Sequence, residues 1–153
     1  MKKFIIGCLL AGTAIMCLTV NAGAQKKPPV LNHIALYVVD LKKATAFYQD
    51  IIQIDTIPEP FHDGRHTWFS IGSHSHLHLI QGAKKAIEHD KNTHLCFSVA
   101  SLEDVIERLD GAKINFENWA GTSKTHTVRV DGVKQIYFKD PDGYWVEIND
   151  DKY

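Results

Sequence analysis

The chain has 153 residues and carries 17 basic against 18 acidic side chains, for a net charge of −1. That balance gives no electrostatic footprint for a nucleic acid or a membrane surface. Of its three cysteines, Cys8 and Cys17 lie in an apolar N-terminal stretch and only Cys96 lies beyond it. An intramolecular disulfide is therefore excluded once that stretch is removed, and the fold must be held by its core.

Lys2 and Lys3 precede an apolar run over 4–20, and Ala22-Gly23-Ala24 then supplies the small residues read by a signal peptidase before Gln25. The run is short for a spanning helix. Residues 1–24 are expected to be a cleaved signal peptide, 25–30 a linker and 31–150 one folded domain. The protein is expected to be periplasmic or secreted, with no membrane partner after the signal is removed.

From 31 to 38 the residues alternate as in a strand, with Leu31, His33, Ala35 and Tyr37 on one face and Ile34, Leu36 and Val38 on the other. Asp40 can cap a helix over 41–52, in which Leu41, Ala44, Phe47, Tyr48 and Ile51 recur at helical spacing. Pro58 and Pro60 confine 56–61 to an edge or irregular strand. Asp63-Gly64 is a turn signal, and strands are expected over 65–71 and 76–81. After a charged connection over 83–91 the same order recurs. Residues 93–99 alternate, Ser101 and Asp104 form a capping-box pattern that opens a helix ending near Gly111, and 114–119 is the next strand. A polar loop or lengthened hairpin over 121–132 leads into QIYFKDPDGYWVEIND. There the turn Asp140-Pro141-Asp142-Gly143 joins strands over 135–139 and 144–149. The chain thus reads as a strand-helix-three-strand unit written twice, an internal repeat of about 60 residues. The modules span 31–82 and 92–150.

Register within the repeat singles out four residues. His33 and His94 hold matching places in the first strands, and His78 and Glu147 in the last strands. The longer loop of the second module absorbs the difference in spacing. Each lies opposite the apolar face that a helix would cover, so all four point into whatever the sheet encloses. Three neutral imidazoles and one carboxylate suit Zn, Ni, Co or Fe better than Mg or Ca. Two further positions on an octahedral ion would be free for water or substrate, the arrangement metal catalysis requires.

These motifs resemble the vicinal oxygen chelate superfamily, which includes glyoxalase I, extradiol dioxygenases and the bleomycin- and fosfomycin-resistance proteins. The signatures are LNHIALYVVDLKKATAFYQDIIQI, HLHLI, THLCFSV and YFKDPDGYWVEI. The resemblance implies an α+β fold of two βαβββ modules forming a cupped mixed sheet around a divalent transition metal, with His33, His78, His94 and Glu147 as ligands. It also implies a small-molecule substrate and a homodimer in which the first half of one chain completes the site of the other. Its best match is isomerase or lyase chemistry of the glyoxalase I kind, with Glu147 as the candidate base. His78 stands where glyoxalase I-like proteins have Glu, so a strict match fails there. A dioxygenase using His33, His94 and Glu147 with Fe or Mn is one alternative, and a non-catalytic drug- or metabolite-binding protein is another. His76 reads as a rim residue or a proton shuttle, and Cys96 as a small buried residue or a thiol near the metal. Arg65, His66, His126 and Arg129 read as anion contacts or solvated surface. Trp68, Trp119, Tyr137 and Trp145 supply aromatic lining, with Tyr137 and Trp145 inward by phase.

Overall fold

The structure, a computed structural model, describes residues 28–152; the expected signal peptide lies outside them. Each module makes its own mixed sheet. In the first, β1 (His33–Val38), β2 (Thr56–Ile57), β3 (His66–Ser70) and β4 (His76–Gln81) lie in the order β1-β4-β3-β2. In the second, β5 (His94–Ser98), β6 (Phe116–Glu117), β8 (Lys134–Lys139) and β9 (Trp145–Asn149) lie in the order β5-β9-β8-β6, and a short β7 (Thr127–Val128) pairs with β8. First and last strands run parallel and the remaining pairs antiparallel. The α+β fold of two repeated modules follows the sequence expectation. The strands expected over 56–61 and 114–119 shrink to two residues each, because edge positions gain ladder bonds on one side only.

Helix α1 (Leu41–Phe47) is capped by Asp40, whose carboxylate accepts from Lys43 N at 3.0 Å. It continues as a π-helical turn, Tyr48–Ile52, that ends where Gln53 takes a left-handed conformation (φ 63°). The wide turn sets Tyr48, Ile51 and Ile52 together in the core. Helix α2 (Leu102–Gly111) is capped by Ser101 Oγ, which accepts from Asp104 N at 3.1 Å, and buries Leu102, Val105 and Leu109.

One apolar cluster runs through both modules, from Leu36, Phe69 and Leu79 to Phe138, Val146 and Ile148. Large-to-small changes at such positions typically cost about 2–5 kcal/mol. The 140–143 turn fastens the modules together. Tyr48 Oη donates to Asp140 Oδ2 at 3.0 Å, and Val39 N to Asp142 Oδ1 at 2.7 Å. Gly143 (φ 92°) is required in that turn, since a Cβ there would lie 2.2 Å from Ile87 O. With the helices and core on one face of each sheet, the opposite faces carry the polar residues singled out above.

Candidate metal centre

On the second sheet, Glu147 is buried in the middle of β9, 4% exposed, directly across from Tyr137 on β8 and Cys96 on β5. Four groups donate to its carboxylate. Gln135 Nε2, Asn149 Nδ2 and Cys96 Sγ reach Oε1 at 2.6, 3.0 and 3.2 Å, and Tyr137 Oη reaches Oε2 at 2.8 Å. Burial pushes the carboxyl's pKa up, but the donors, led by Tyr137 and Asn149, outweigh it and hold the group below its ordinary range. The effect on the donors is opposite. Burial, then the bond to Glu147, raises Tyr137 and pushes the Cys96 thiol up to about 12. Cys96 keeps part of its surface exposed while its thiol is partly buried against Glu147, to which it donates, so it is a thiol rather than a thiolate.

His94 completes this cluster. Its Nδ1–H donates to Lys91 O at 2.7 Å, which leaves Nε2 bare, and Nε2 stands 3.2 Å from Glu147 Oε2. Two lone pairs turned toward each other at that distance repel unless a proton or a cation lies between them. Donors at about 2.0–2.2 Å from one ion, set at right angles, are separated by about that much.

The first sheet presents imidazoles instead. His78, 8% exposed, is sandwiched between Trp68 (ring centroids 3.9 Å apart, planes at 3°) and His33 (4.4 Å, 8°). His33 Nδ1 donates to Asn32 Oδ1 at 2.8 Å, so its Nε2 is bare as well. His78 Nε2 and Trp68 Nε1 are buried without any hydrogen-bond partner. Burial, then the neighbouring His33, His76 and His66, push His78 down to about 4, so the ring is neutral at ordinary pH.

The structure therefore brings the four expected ligands together as two pairs, His33 with His78 and His94 with Glu147, one pair on each sheet. Among the described residues no three His, Cys, Asp or Glu side chains of a single chain form a group that could hold a metal. The residues do fit a divalent transition metal chemically: bare imidazole nitrogens, an unpartnered buried Nε2, and an anionic carboxylate fixed by surrounding donors. Of the remaining candidates, His76 packs at the edge of the Trp68–His78 stack. Arg129 is committed to Asp131 and Asp151 at 2.7 and 2.8 Å. Trp119, Tyr137 and Trp145 surround the Lys91 ammonium, which also pairs with Glu117.

Sequence reasoning did not single out Gln135, Asn149 or Lys91. Asn149 shares a strand face with Glu147, and Gln135 is its ladder partner, so hairpin register could have found both. The Lys91 contribution is a backbone carbonyl, which no side-chain pattern reports.

Fold and site together define a two-module α+β protein with histidine and carboxylate side chains, of the kind that can bind metal, on the sheet faces turned away from the core. Residues 30–148 match the model of the Glyoxalase/Bleomycin resistance protein/Dioxygenase superfamily, and the chain belongs to that superfamily. It is 29% identical to the metallothiol transferase FosB of Staphylococcus epidermidis, over 78% of this chain and 80% of that protein. It is 26% identical to a lactoylglutathione lyase of Pseudomonas putida, over 78% and 83%. Among solved structures, the fosfomycin resistance protein FosX of Listeria monocytogenes superposes with a TM-score of 0.65 at 25% identity, covering 82% of this chain and 94% of FosX. A variant of FosX has been crystallised with Mn(II) and 1S,2S-dihydroxypropylphosphonic acid.

Proposed function

We propose that the protein is an exported, metal-dependent enzyme that chelates two oxygens of a small substrate and carries out glyoxalase I-like isomerase or lyase chemistry. The observation that carries this reading is the bare Nε2 of His94 facing Glu147 Oε2 at 3.2 Å, inside a carboxylate cluster otherwise saturated with donors. A divalent ion such as Ni, Zn, Co, Fe or Mn, held by His33, His78, His94 and Glu147, supplies Lewis acidity when bound. Its four ligands come from two copies of the chain, the first sheet of one facing the second sheet of the other. The pairwise separation of the ligands within one chain supports that homodimer. Glu147 acts as an anionic ligand, because a carboxylate that accepts from four donors is a weak proton acceptor. The likeness to FosB supports a second reading on the same centre, metal-dependent transfer of a thiol to a small acceptor.

The test combines elemental analysis with complementation. Protein beginning at Gln25 and purified without chelator or tag is expected to hold about one transition-metal ion per chain, while His33→Ala and Glu147→Ala each hold none. A refolded one-to-one mixture of the two variants is expected to regain about a quarter of the wild-type metal, because half of the random dimers are mixed and each has one intact site. No recovery in the mixture would place the site within one chain. No metal in the wild type, even after ions are added, would remove the catalytic reading and leave a binding protein. Metal identity directs the activity assay, with Fe or Mn calling for an oxygen-consumption measurement. N-terminal sequencing of the exported protein tests cleavage after Ala24.

A further inference from the structure

We propose that His66, oriented by Asp63, is the proton-transfer residue of this centre. The assignment rests on the metal-enzyme reading above and adds a residue to it. His66 opens β3 on the same sheet face as Trp68, because Thr67 and Phe69 turn the other way, Thr67 to a 2.9 Å hydrogen bond with Thr45 of α1 and Phe69 into the core. In the β3/β4 ladder Trp68 pairs with His78 and His66 with Ile80. His66 is therefore the diagonal neighbour of His78, about 7–8 Å away between backbones, so the two side chains can reach the same small molecule.

The ring is held in one tautomer. Nδ1–H donates to Asp63 Oδ1 at 2.8 Å, and the same oxygen accepts from Arg65 N at 2.9 Å. Nε2 is thus the bare nitrogen, and the side chain is only 15% exposed. Phe61 covers one face of the ring, with centroids 4.7 Å apart. The hydrogen bond from His66, then that from Arg65, holds the Asp63 carboxyl below its usual range, so it stays ionised and can stabilise an imidazolium. The titratable and charged groups near His66 are Asp63 and Arg65 beside it and His78 from β4. Glu147 would otherwise be the base, but its four donors make it a weak one. A neutral imidazole with Nδ1 fixed and Nε2 free is the better proton acceptor on this face.

For a substrate with oxygens on adjacent carbons, His66 Nε2 takes the proton from the carbon beside the carbonyl. The C–H electron pair becomes the new carbon–carbon π bond, and the carbonyl π pair moves onto oxygen. Return of the proton from Nε2 to the same carbon restores the substrate. Delivery to the former carbonyl carbon, with the hydroxyl proton of the carbon first deprotonated passing to the enolate oxygen, gives the isomer. His66 ends neutral and nothing is oxidised or reduced overall.

The experiment follows deuterium incorporation from deuterated water into hydroxyacetone by NMR, using full-length mature protein loaded with the metal it is found to bind. Wild type is expected to exchange the carbon-bound protons next to the carbonyl, with a rate that rises with pH on a limb set by His66. His66→Gln is expected to lose about 100-fold or more of that rate and the pH limb with it, while retaining metal. Asp63→Asn is expected to lose less and to shift the limb. An unchanged rate or limb in His66→Gln would overturn the assignment, as would a metal-loaded wild type that does not exchange. Wild type that takes up no metal would overturn the underlying enzyme reading instead, and elemental analysis of each sample separates the two failures.

Discussion

The two modules place matching residues at matching ladder positions and solve the same problem in opposite ways. Ala35 and Trp68 flank His78 on the first sheet as Cys96 and Tyr137 flank Glu147 on the second. The central residue is buried in both, 8% exposed for His78 and 4% for Glu147. Glu147 is compensated by hydrogen bonds, four donors closing on its two oxygens. His78 is compensated by stacking between two flat rings, which leaves its Nε2 unpartnered. A repeated backbone thus yields a rigid anion on one sheet and an unsatisfied imidazole pair on the other. The lesson is that the frame fixes where a candidate ligand stands, and the neighbours across the ladder decide what kind of group it is.

The strongest way to break this comparison is to neutralise each centre with little change of shape. Glu147→Gln turns one acceptor oxygen into an amide donor facing groups that already donate. It is expected to weaken metal binding by more than about 100-fold, since outer partners alone are worth 10–100-fold, and to cost about 1–3 kcal/mol for the unsatisfied donors. His78→Phe keeps the stack and removes the orphaned nitrogen. It is expected to leave the metal-free fold within about 1.5 kcal/mol of wild type. Elemental analysis and denaturant unfolding read both effects. Equal destabilisation by the two substitutions would mean that the central residues are not held as differently as the geometry implies.

A second effect separates the modules by pH. His78 titrates at about 4 in the folded chain against an ordinary 6.5, so between these values the unfolded chain takes up a proton that the native ring refuses. The stability tied to its neutral form is complete above pH 6.5 and is lost as pH falls toward 4, by at most about 3 kcal/mol. Glu147, whose pKa is lowered, adds stability above the ordinary carboxylate range that is lost as pH falls through its folded value. Chelator-treated protein is therefore expected to weaken in two acid stages, and His78→Phe is expected to flatten the first. An unchanged first stage in that variant would assign it to another histidine.

Much of this was legible in the sequence because strand alternation and the repeat carry the information. The faces of His33, His78, His94 and Glu147 follow from counting by twos, and the caps at Asp40 and Ser101 from residue type. The π-helical turn was not legible, since the apolar spacing of 48–52 suits either helix type. The division of the four candidate ligands into two pairs was implied by the resemblance alone. Register places a residue on a face, but how two sheets sit around a shared core depends on packing that no local pattern encodes. Trp68 was named only as aromatic supply, because its place against His78 requires the β3/β4 register across the 71–75 loop. His66 was read as an anion contact or solvated surface and Asp63 as part of a turn, and only the 2.8 Å hydrogen bond ties them together.

The finest test compares the two flanking aromatics, Trp68 and Tyr137, which are equivalent in the ladders. Tyr137→Phe removes one donor from a carboxylate that keeps three, so burial gains weight and the Glu147 pKa rises from its lowered value. Metal and proton compete for that carboxylate, so half-saturation with metal is expected to move to higher pH, with a loss of about tenfold in affinity at fixed pH. The fold is expected to lose about 1 kcal/mol, the net worth of one hydrogen bond. Trp68→Phe removes an indole N–H that has no partner and keeps a ring over His78, so no hydrogen bond is lost. Its pH dependence of metal uptake is expected to match wild type, and its unfolding free energy to shift by the change in ring area alone. A titration in which Trp68→Phe moves the half-saturation pH as far as Tyr137→Phe would show that the first sheet also sets the charge of its ligand, and the division between a hydrogen-bonded module and a stacked one would fall.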